Sequence, residues 1–390
     1  MTYQVLARKW RPQQFDDVVG QEHVTETLKN AITSDRLAHA YLFVGPRGIG
    51  KTSVARIFAK ALNCEKGPTV APCDTCDACR EIASGNSLDV MEIDGASNNG
   101  VEQVRELRET VKYMPSRGRF KIYLIDEVHM LSVAAFNALL KTLEEPPAHV
   151  KFFFATTEPE KILATIISRC QRFDLRRIPV PLIVERLRAV AKDEKVSIEE
   201  DALLAIARGS EGGLRDAESA LDQLISFKGR DIAEADVLSV FGLVSRGLLE
   251  DLAERVITGD VKGIVRQIAA LDESGKDLQR LVVELMDHFR ALLVCLNVDD
   301  IDEALDMSEG QIETLKKQAD LTHTDRLLRV TKILGETMDS IRLSLSRRTL
   351  LETALIRCAR AASVVSLEEV LAKLTDLESG GGDGAGAACP

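Results

Sequence analysis

The segment GPRGIGKT at 45–52 contains the residue types that hold a phosphate group. Its glycines permit a tight turn in which successive backbone N–H groups point at phosphate oxygens. Lys51 then carries the positive charge for the β- and γ-phosphates, and the Thr52 hydroxyl is a ligand for Mg²⁺. A glycine-rich turn that binds nothing is the alternative, but every fixed position of the pattern is matched. The predicted binding residues are Gly45, Pro46, Arg47, Gly48, Ile49, Gly50, Lys51, Thr52 and Ser53.

The elements around this loop occur in the order that a phosphate-binding loop requires. An apolar run at 40–44 precedes the loop and predicts a buried strand, and a helical pattern follows at 53–63. The positive end of that helix dipole favours the same anion. Loop and context together predict a site for a nucleoside triphosphate with Mg²⁺.

Three further residues at predicted strand ends have the chemistry that hydrolysis needs. Asp126 follows the apolar strand 120–125 and is suited to hold the Mg²⁺ shell, and Glu127 is suited to polarise an attacking water. An acidic pair alone is more often a solvated turn, but this pair follows a buried strand about 75 residues after the loop. Thr157, after the strand 150–156, is a candidate hydrogen-bond donor to the γ-phosphate or the water, although a threonine there is usually structural.

Arg169 and Arg215 are the candidate cations for charge that develops during phosphoryl transfer. An arginine supplied by a neighbouring subunit would make hydrolysis conditional on assembly. Either arginine taken alone would be a surface residue in most proteins.

Four cysteines, Cys64, Cys73, Cys76 and Cys79, fall within sixteen residues. Four thiolates suit tetrahedral Zn²⁺, and an iron–sulfur cluster or a metal-free cluster remains an alternative. Because the segment 64–79 offers no histidine and no obvious open position, we predict a structural metal site rather than a catalytic one.

Strands alternate with helical patterns up to residue 178, which predicts an α/β fold with a doubly wound parallel sheet. Beyond it the strand signal disappears. Helical patterns at 182–190, 199–208 and 215–227 predict a small helical lid, and those at 248–257, 278–293 and 327–343 predict an all-α domain. The predicted division is 1–178, 179–243, 244–365 and a flexible tail at 366–390.

Composition limits the function classes. The formal net charge of −11 excludes coating of nucleic acid by bulk attraction, so DNA contacts would need a local basic or dipolar surface. The absence of a membrane-length apolar run and of a secretory signal predicts a cytoplasmic protein with no membrane partner. Basic residues surround the single tryptophan, Trp10, as either a nucleic-acid or base-stacking patch or an arm packed on the domain surface.

Several of these motifs resemble one family, the gamma/tau subunits of bacterial DNA polymerase III, which are AAA+ ATPases of the sliding-clamp loader. The resemblance covers about residues 3–363. It is carried by the four cysteines and by ARKWRP at 7–12, VGQ at 19–21, HAYLF at 39–43, DEVHML at 126–131, ATTEP at 155–159, SRC at 168–170 and GLRDA at 213–217.

The resemblance implies a role for each candidate residue. Asp126 and Glu127 correspond to the Walker B pair, Thr157 to sensor 1, and Arg215 to sensor 2. Arg169 corresponds to the finger that enters the adjacent subunit's ATP site. The amino-terminal segment, with Ala7, Arg11, Val18 and Val19, corresponds to the segment that binds adenine and ribose in the family. The cysteines correspond to a structural zinc module, and 244–365 to the collar of a five-subunit ring.

The resemblance also implies partners: the delta and delta-prime subunits, further gamma/tau copies, the β sliding clamp and primer–template DNA. ATP binding would open the clamp and hydrolysis would release it closed on DNA; the family suggests DNA contacts at 97–100, Lys141 and Thr165. The chain resembles the short form or a truncated long form, and it lacks a polymerase active site although it would be classified with that holoenzyme. A non-hydrolysing clamp-loader subunit and a branch-migration helicase are the alternatives.

Overall fold

The computed structural model describes residues 4–298 and 309–361, so the predicted tail at 366–390 lies outside the described residues. The described residues divide into two compact units, with the boundary between Val237 and Leu238. The finer division predicted above, with boundaries at 178/179 and 243/244, stays a prediction.

The first unit is built on a five-stranded sheet in which all strands run parallel, in the order β2-β3-β4-β1-β5. The strands are β1 (Ala40–Val44), β2 (Val90–Asp94), β3 (Lys121–Asp126), β4 (Val150–Thr156) and β5 (Gln171–Asp174). Because the order departs from the chain order, helices cross over both faces, as the predicted doubly wound sheet requires.

Alternate residues of each strand face opposite layers of helices, which buries the sheet on both sides. Tyr41 and Phe43 pack in one cluster with helices α2 and α3, whereas Leu42 packs in the other with α5 and α6. The helices of this unit are α1 (Leu6–Lys9), α2 (Glu22–Thr33), α3 (Lys51–Asn63), α4 (Asp77–Ser84), α5 (Val101–Val111), α6 (Val133–Glu144), α7 (Ala164–Ile167), α8 (Val180–Asp193), α9 (Glu200–Gly209) and α10 (Leu214–Lys228). This arrangement confirms the predicted α/β fold class.

Two details of the first unit differ from the prediction. Strand β5 was not expected, because only Phe173 of its four residues is buried and the edge strand therefore lacks an apolar run. The expectation of no strands beyond 178 is also wrong, since β6 (Ser197–Ile198) and β7 (Asp231–Ile232) form a short parallel pair. Two residues are too few to produce an alternating pattern.

The second unit is helical in its described part, as predicted, and is preceded by α11 (Glu234–Val240) at the boundary. Leu281, Leu285 and Phe289, one face of its longest helix, are fully buried in its core. Its helices are α12 (Arg246–Thr258), α13 (Val261–Glu273), α14 (Leu278–Asn297), α15 (Glu309–Ala319), α16 (Thr324–Ile341) and α17 (Arg347–Ala361). Over residues 4–298 and 309–361, no helix has the length and apolar character to cross a bilayer.

Candidate functional site

The loop between β1 and α3 has the backbone conformation that its glycines allow. Gly45, Gly48 and Gly50 have φ angles of 151°, 78° and 107°, a region that side-chain-bearing residues rarely adopt. A Cβ atom at Gly45 would lie 2.6 Å from the carbonyl oxygen of Leu175, so a residue with a side chain would clash with the backbone that follows β5. Helix α3 begins at Lys51, two residues earlier than predicted, and its first turn therefore belongs to the loop's anion-binding end.

Lys51 and Thr52 occupy the first two positions of α3 and face the sheet edge. The Lys51 ammonium is almost fully buried and donates hydrogen bonds of 2.8 Å to the carbonyl oxygens of Gly45 and Pro46. Burial lowers its pKa, and the nearby Glu127 and Asp126 carboxylates oppose that shift. The Thr52 hydroxyl donates to Asp126 Oδ2 at 2.8 Å. A hydroxyl and a carboxylate oxygen in contact are the hard oxygen ligands that suit Mg²⁺.

Glu127 lies directly beyond β3 in a left-handed conformation, with φ 43° and ψ 49°. Such a backbone is strained for a residue with a side chain, and strain of this kind is concentrated at functional sites. Its Oε2 accepts a 3.2 Å hydrogen bond from the Thr157 hydroxyl, so the two predicted residues are in direct contact.

His129 had no role from the sequence beyond its place in a family motif, yet it joins this group. Its Nδ1 lies 3.4 Å from Glu127 Oε2 and 3.0 Å from Thr156 Oγ1, and its Nε2 lies 3.2 Å from Glu158 Oε1. The imidazole, with 5% of its side chain exposed, therefore orients the Glu127 carboxylate. The sequence signal that could have identified His129 was its position two residues after the acidic pair.

These groups open into one cavity of about 1000 Å³, at the upper end of the range for small-molecule sites, roughly 300–1,000 Å³. The four residues Ala7, Arg11, Val18 and Val19, predicted for the base and ribose, line it together with the loop from Arg47 to Ser53. Gly45, Pro46 and Thr157 are near it but do not line it. Its walls carry three carboxylates and seven cations: Arg8, Lys9, Arg11, Arg47, Lys51, Arg56 and Arg215. The cavity of an acidic chain is thus suited to an anionic ligand.

Arg215 reaches this cavity from helix α10, which packs on the phosphate loop. The Arg215 backbone N–H donates to the Gly48 carbonyl at 3.1 Å. A Cβ at Gly48 would lie 2.8 Å from Asp216 Oδ2, so the glycine also permits this close packing. The structure therefore brings Arg215 to the loop side, whereas sequence spacing alone could not place it.

Arg169 lies elsewhere in the first unit and does not line the cavity. It is part-exposed after α7, where its guanidinium donates to the Thr165 carbonyl at 2.7 Å and to Glu144 Oε1 at 2.8 Å. The two candidate arginines are thus separated: one belongs to this cavity, and the other is presented at a surface.

The amino-terminal arm around Trp10 packs on helix α8, which favours the second of the two interpretations of its basic residues. Lys9 pairs with Asp193 and Glu194, and the Arg186 guanidinium stacks 5.2 Å from the centre of the Trp10 ring. Arg186 also donates to the Trp10 carbonyl at 2.9 Å. Trp10 is therefore a packing residue between the arm and α8.

Glu218, on α10, is a buried acid in the cavity wall that sequence reasoning did not single out. Its closest cation, Arg186, lies 3.8 Å away, beyond hydrogen-bond distance, and Oε1 has no hydrogen-bond partner in the described chain. Burial raises the pKa of Glu218 to about 7, and Arg186 only partly offsets this effect. A glutamate in a helical pattern carries no sequence signal for such a position.

We expect Glu218 to make the first unit less stable as the pH rises. An acid whose pKa is raised on folding stabilises the protein fully below its unfolded value, near 4.5, and this contribution is lost towards pH 7. Glu218→Gln should remove this slope, on the order of 3 kcal/mol between pH 4.5 and 7.5. Denaturant unfolding at several pH values measures it, with exposed Glu200→Gln as the control. Equal slopes for Glu218→Gln and the unmodified chain would refute the assignment.

The four cysteines come together as predicted for a metal site, with their Sγ atoms all within 4.8 Å of one another. Ligands at about 2.3 Å around one tetrahedral Zn²⁺ lie roughly 3.8 Å apart, so small adjustments would complete the geometry. The backbone N–H groups of Cys73, Cys76 and Cys79 each donate to the preceding cysteine sulfur, at 3.5, 3.4 and 3.4 Å.

The pKa shifts of these cysteine thiols are also consistent with binding of a cation. Hydrogen bonding, chiefly from Thr75, lowers the pKa of Cys73 to about 6. Burial and the neighbouring sulfur atoms raise the pKa of Cys79. Four adjacent thiolates without a cation would repel each other, and a divalent metal removes this conflict.

Comparison with known proteins agrees with this architecture. Three family models match successive parts of the chain: "DNA polymerase III, delta subunit" at 20–179, "DNA polymerase III clamp loader subunit, ATPase lid domain" at 182–230, and "DNA polymerase III subunits gamma and tau domain III" at 232–374. Among solved structures, the Thermotoga maritima RuvB branch-migration motor matches with a TM-score of 0.45 and 21% identity, over 69% of this chain and 86% of that one. At that score the likeness bears on neither family nor function.

Two curated relatives are more similar to this chain in sequence than the solved structure above. The tau subunit of DNA polymerase III from Bacillus subtilis is 43% identical over 97% of this chain and 68% of its own length. The corresponding tau subunit of Escherichia coli is 49% identical over 73% of this chain and 44% of its own length. The chain therefore spans about two thirds of the first relative and less than half of the second. With its parallel P-loop sheet, lid match and gamma/tau domain, the chain belongs to the gamma/tau subunit family of DNA polymerase III, the clamp-loader subunits of the AAA+ ATPase type.

Proposed function

We propose that this chain is the motor subunit of a DNA polymerase III clamp loader, which binds and hydrolyses ATP to open a β sliding clamp and load it onto primer–template DNA. One observation carries the proposal: Lys51, Thr52, Asp126 and Glu127 meet in one cationic cavity at the carboxyl edge of the parallel sheet. That edge is where ligands bind in open α/β folds.

Each side chain has a distinct task in this proposal. Backbone N–H groups of 45–52 and the start of α3 hold the phosphates, and Lys51 neutralises the β- and γ-phosphates. Thr52 and Asp126 would hold Mg²⁺, which would supply positive charge to offset that of the phosphates. Glu127 takes up a proton from the attacking water, in an orientation fixed by Thr157 and His129. Arg215 contacts the nucleotide of its own subunit from α10.

Arg169 is proposed to complete the ATP site of a neighbouring subunit. Its absence from the lining of its own cavity and its partial exposure support this role, because a finger must be presented at a surface. Hydrolysis then depends on assembly with further gamma/tau copies, delta and delta-prime, with 244–365 as the collar that holds the ring. The DNA contacts at 97–100, Lys141 and Thr165 stay predictions.

We propose that Cys64, Cys73, Cys76 and Cys79 hold a structural Zn²⁺. The sulfur set supports this assignment, because four thiolates leave no open position for substrate or water. Zinc content of the purified chain, measured by mass spectrometry of metals, would distinguish this from an iron–sulfur cluster, which absorbs visible light.

The test of the function is ATP hydrolysis by the chain alone, with partner subunits, and with clamp and primed DNA added. We expect slow hydrolysis alone and stimulation on assembly, which increases again with clamp and primed DNA. A chain that binds ATP but never hydrolyses it would be a structural clamp-loader subunit. Strand displacement at branched DNA without a clamp would support a branch-migration motor instead.

A further inference from the structure

We propose that Lys60 and Asp74 are positioning residues that connect the four-cysteine module to the nucleotide cavity, so that metal binding and nucleotide binding strengthen each other. The inference rests on the proposed function for its nucleotide ligand. It goes beyond that function because it gives the cysteine module a part in ATP binding.

Lys60 lies on α3, the helix that begins at the phosphate loop, and is only 1% exposed. A buried ammonium is costly unless oxygen atoms surround it. Its Nζ donates to the carbonyl oxygen and the side-chain oxygen of Gln13, at 2.9 and 3.1 Å, and it forms an ion pair with Asp74. The charge thus joins three segments: the P-loop helix, the amino-terminal arm and the cysteine loop.

Asp74 stands between Cys73 and Cys76, and its φ of 56° is left-handed. The Gln14 side-chain amide donates to Asp74 and, at 2.7 Å, to the Pro72 carbonyl. The cysteine loop therefore holds two consecutive arm residues, Gln13 through Lys60 and Gln14 directly. The segment 64–79 is a rigid support when its four cysteines hold a metal. Without the metal, so short a segment would not be held rigidly.

The supported arm forms part of the nucleotide cavity. Arg11, Pro12 and Gln13 line it, and Gln13 is the residue that Lys60 holds. The module also borders the cavity itself, since Ala83 and Ser84 at the end of α4 are in its wall, and α4 contains Cys79 and is capped by Cys76. Two independent connections therefore lead from the cysteines to the cavity.

Loss of the metal would release the cysteine loop, remove Asp74 from Lys60 and free the arm. Nucleotide affinity should then decrease. Linkage requires the converse effect to be equal in size, so a bound nucleotide must tighten retention of the metal.

The experiment measures the dissociation constant of a fluorescent ATP analogue for the purified full chain, for three single variants and for the double variant that combines Asp74→Asn with Lys60→Met. Asp74→Asn and Lys60→Met break the ion pair, and Asp77→Asn is the matched control, an exposed acid of the same module that pairs only with Arg80 in the described contacts. We expect Asp74→Asn and Lys60→Met to raise the dissociation constant by about 5- to 20-fold and Asp77→Asn to leave it unchanged. The double variant should bind nucleotide no more weakly than Lys60→Met alone, because both changes remove the same connection.

The second readout is the rate of metal release to a thiol reagent, followed with a chromogenic chelator. A non-hydrolysable ATP analogue should slow release from the unmodified chain and from Asp77→Asn, and should slow it much less from Asp74→Asn, which keeps only the connection through α4. Should Lys60→Met fail to fold, Asp74→Asn carries the test, since Asp74 is part-exposed.

Three results would overturn the inference. The first is equal nucleotide affinity of Asp74→Asn and Asp77→Asn. The second is a rate of metal release from the unmodified chain that does not change when the ATP analogue is added. The third is unchanged nucleotide affinity in a metal-free chain. If instead the unmodified chain binds no nucleotide at all, the proposed function itself fails, and the two failures are thereby distinguished.

Discussion

Lys51→Ala abolishes nucleotide binding under this account. The Lys51 ammonium is almost fully buried, and the carbonyl oxygens of Gly45 and Pro46 hold it at the phosphate loop. Loss of charge-assisted hydrogen bonds to two phosphates should cost about 3–5 kcal/mol, which raises the dissociation constant by roughly 100-fold or more. Titration with a fluorescent ATP analogue measures the effect.

Lys112→Ala is the matched control, because Lys112 is an exposed lysine whose contact is an ion pair with Glu109. It should bind ATP like the unmodified chain, and both variants should keep the far-ultraviolet circular dichroism of the folded protein. Retention of ATP binding by a folded Lys51→Ala chain would show that the nucleotide lies elsewhere.

Arg169→Ala should separate binding from hydrolysis. Since Arg169 does not line its own cavity, the variant should bind ATP with unchanged affinity. Loss of its part-exposed pair with Glu144 should cost no more than about 1 kcal/mol of stability. Removal of an arginine finger reduces turnover by roughly 10³-fold or more. We therefore expect clamp- and DNA-stimulated ATP hydrolysis by the full assembly to fall by that order.

The control for this change is Arg172→Ala, an exposed arginine on β5 that pairs with Asp174. It should leave stimulated hydrolysis intact. Equal turnover by assemblies with Arg169→Ala and the unmodified chain would exclude Arg169 from the reaction.

Local patterns in the sequence were sufficient for the phosphate loop and most of the sheet. The glycines at 45, 48 and 50 are needed for backbone reasons that act within a few residues, and the apolar runs of β1, β3 and β4 are buried on both faces. Strand β5 could not be recognised because it lies at the sheet edge, where one buried residue, Phe173, is enough.

The long-range part of the site needed the structure. Glu218 and His129 contact residues that are distant in the chain, Arg186 and Glu158 among them. Patterns within a single sequence contain no information on such contacts. The ion pair of Lys60 with Asp74 is equally non-local, because a lysine in a helix usually indicates a solvated face. The roles of Arg169, Arg215 and Thr157 came from family resemblance, and they stay predictions.

Complementation in mixed assemblies tests the central claim, that Arg169 acts on the ATP site of the neighbouring subunit. Chains with Lys51→Ala have no ATP site but keep Arg169, and chains with Arg169→Ala keep the ATP site. Clamp- and DNA-stimulated hydrolysis is measured for assemblies of either variant alone and of an equal mixture. We expect the mixture to regain a substantial part of the activity that both variants have lost. A mixture no more active than the average of the two would contradict it.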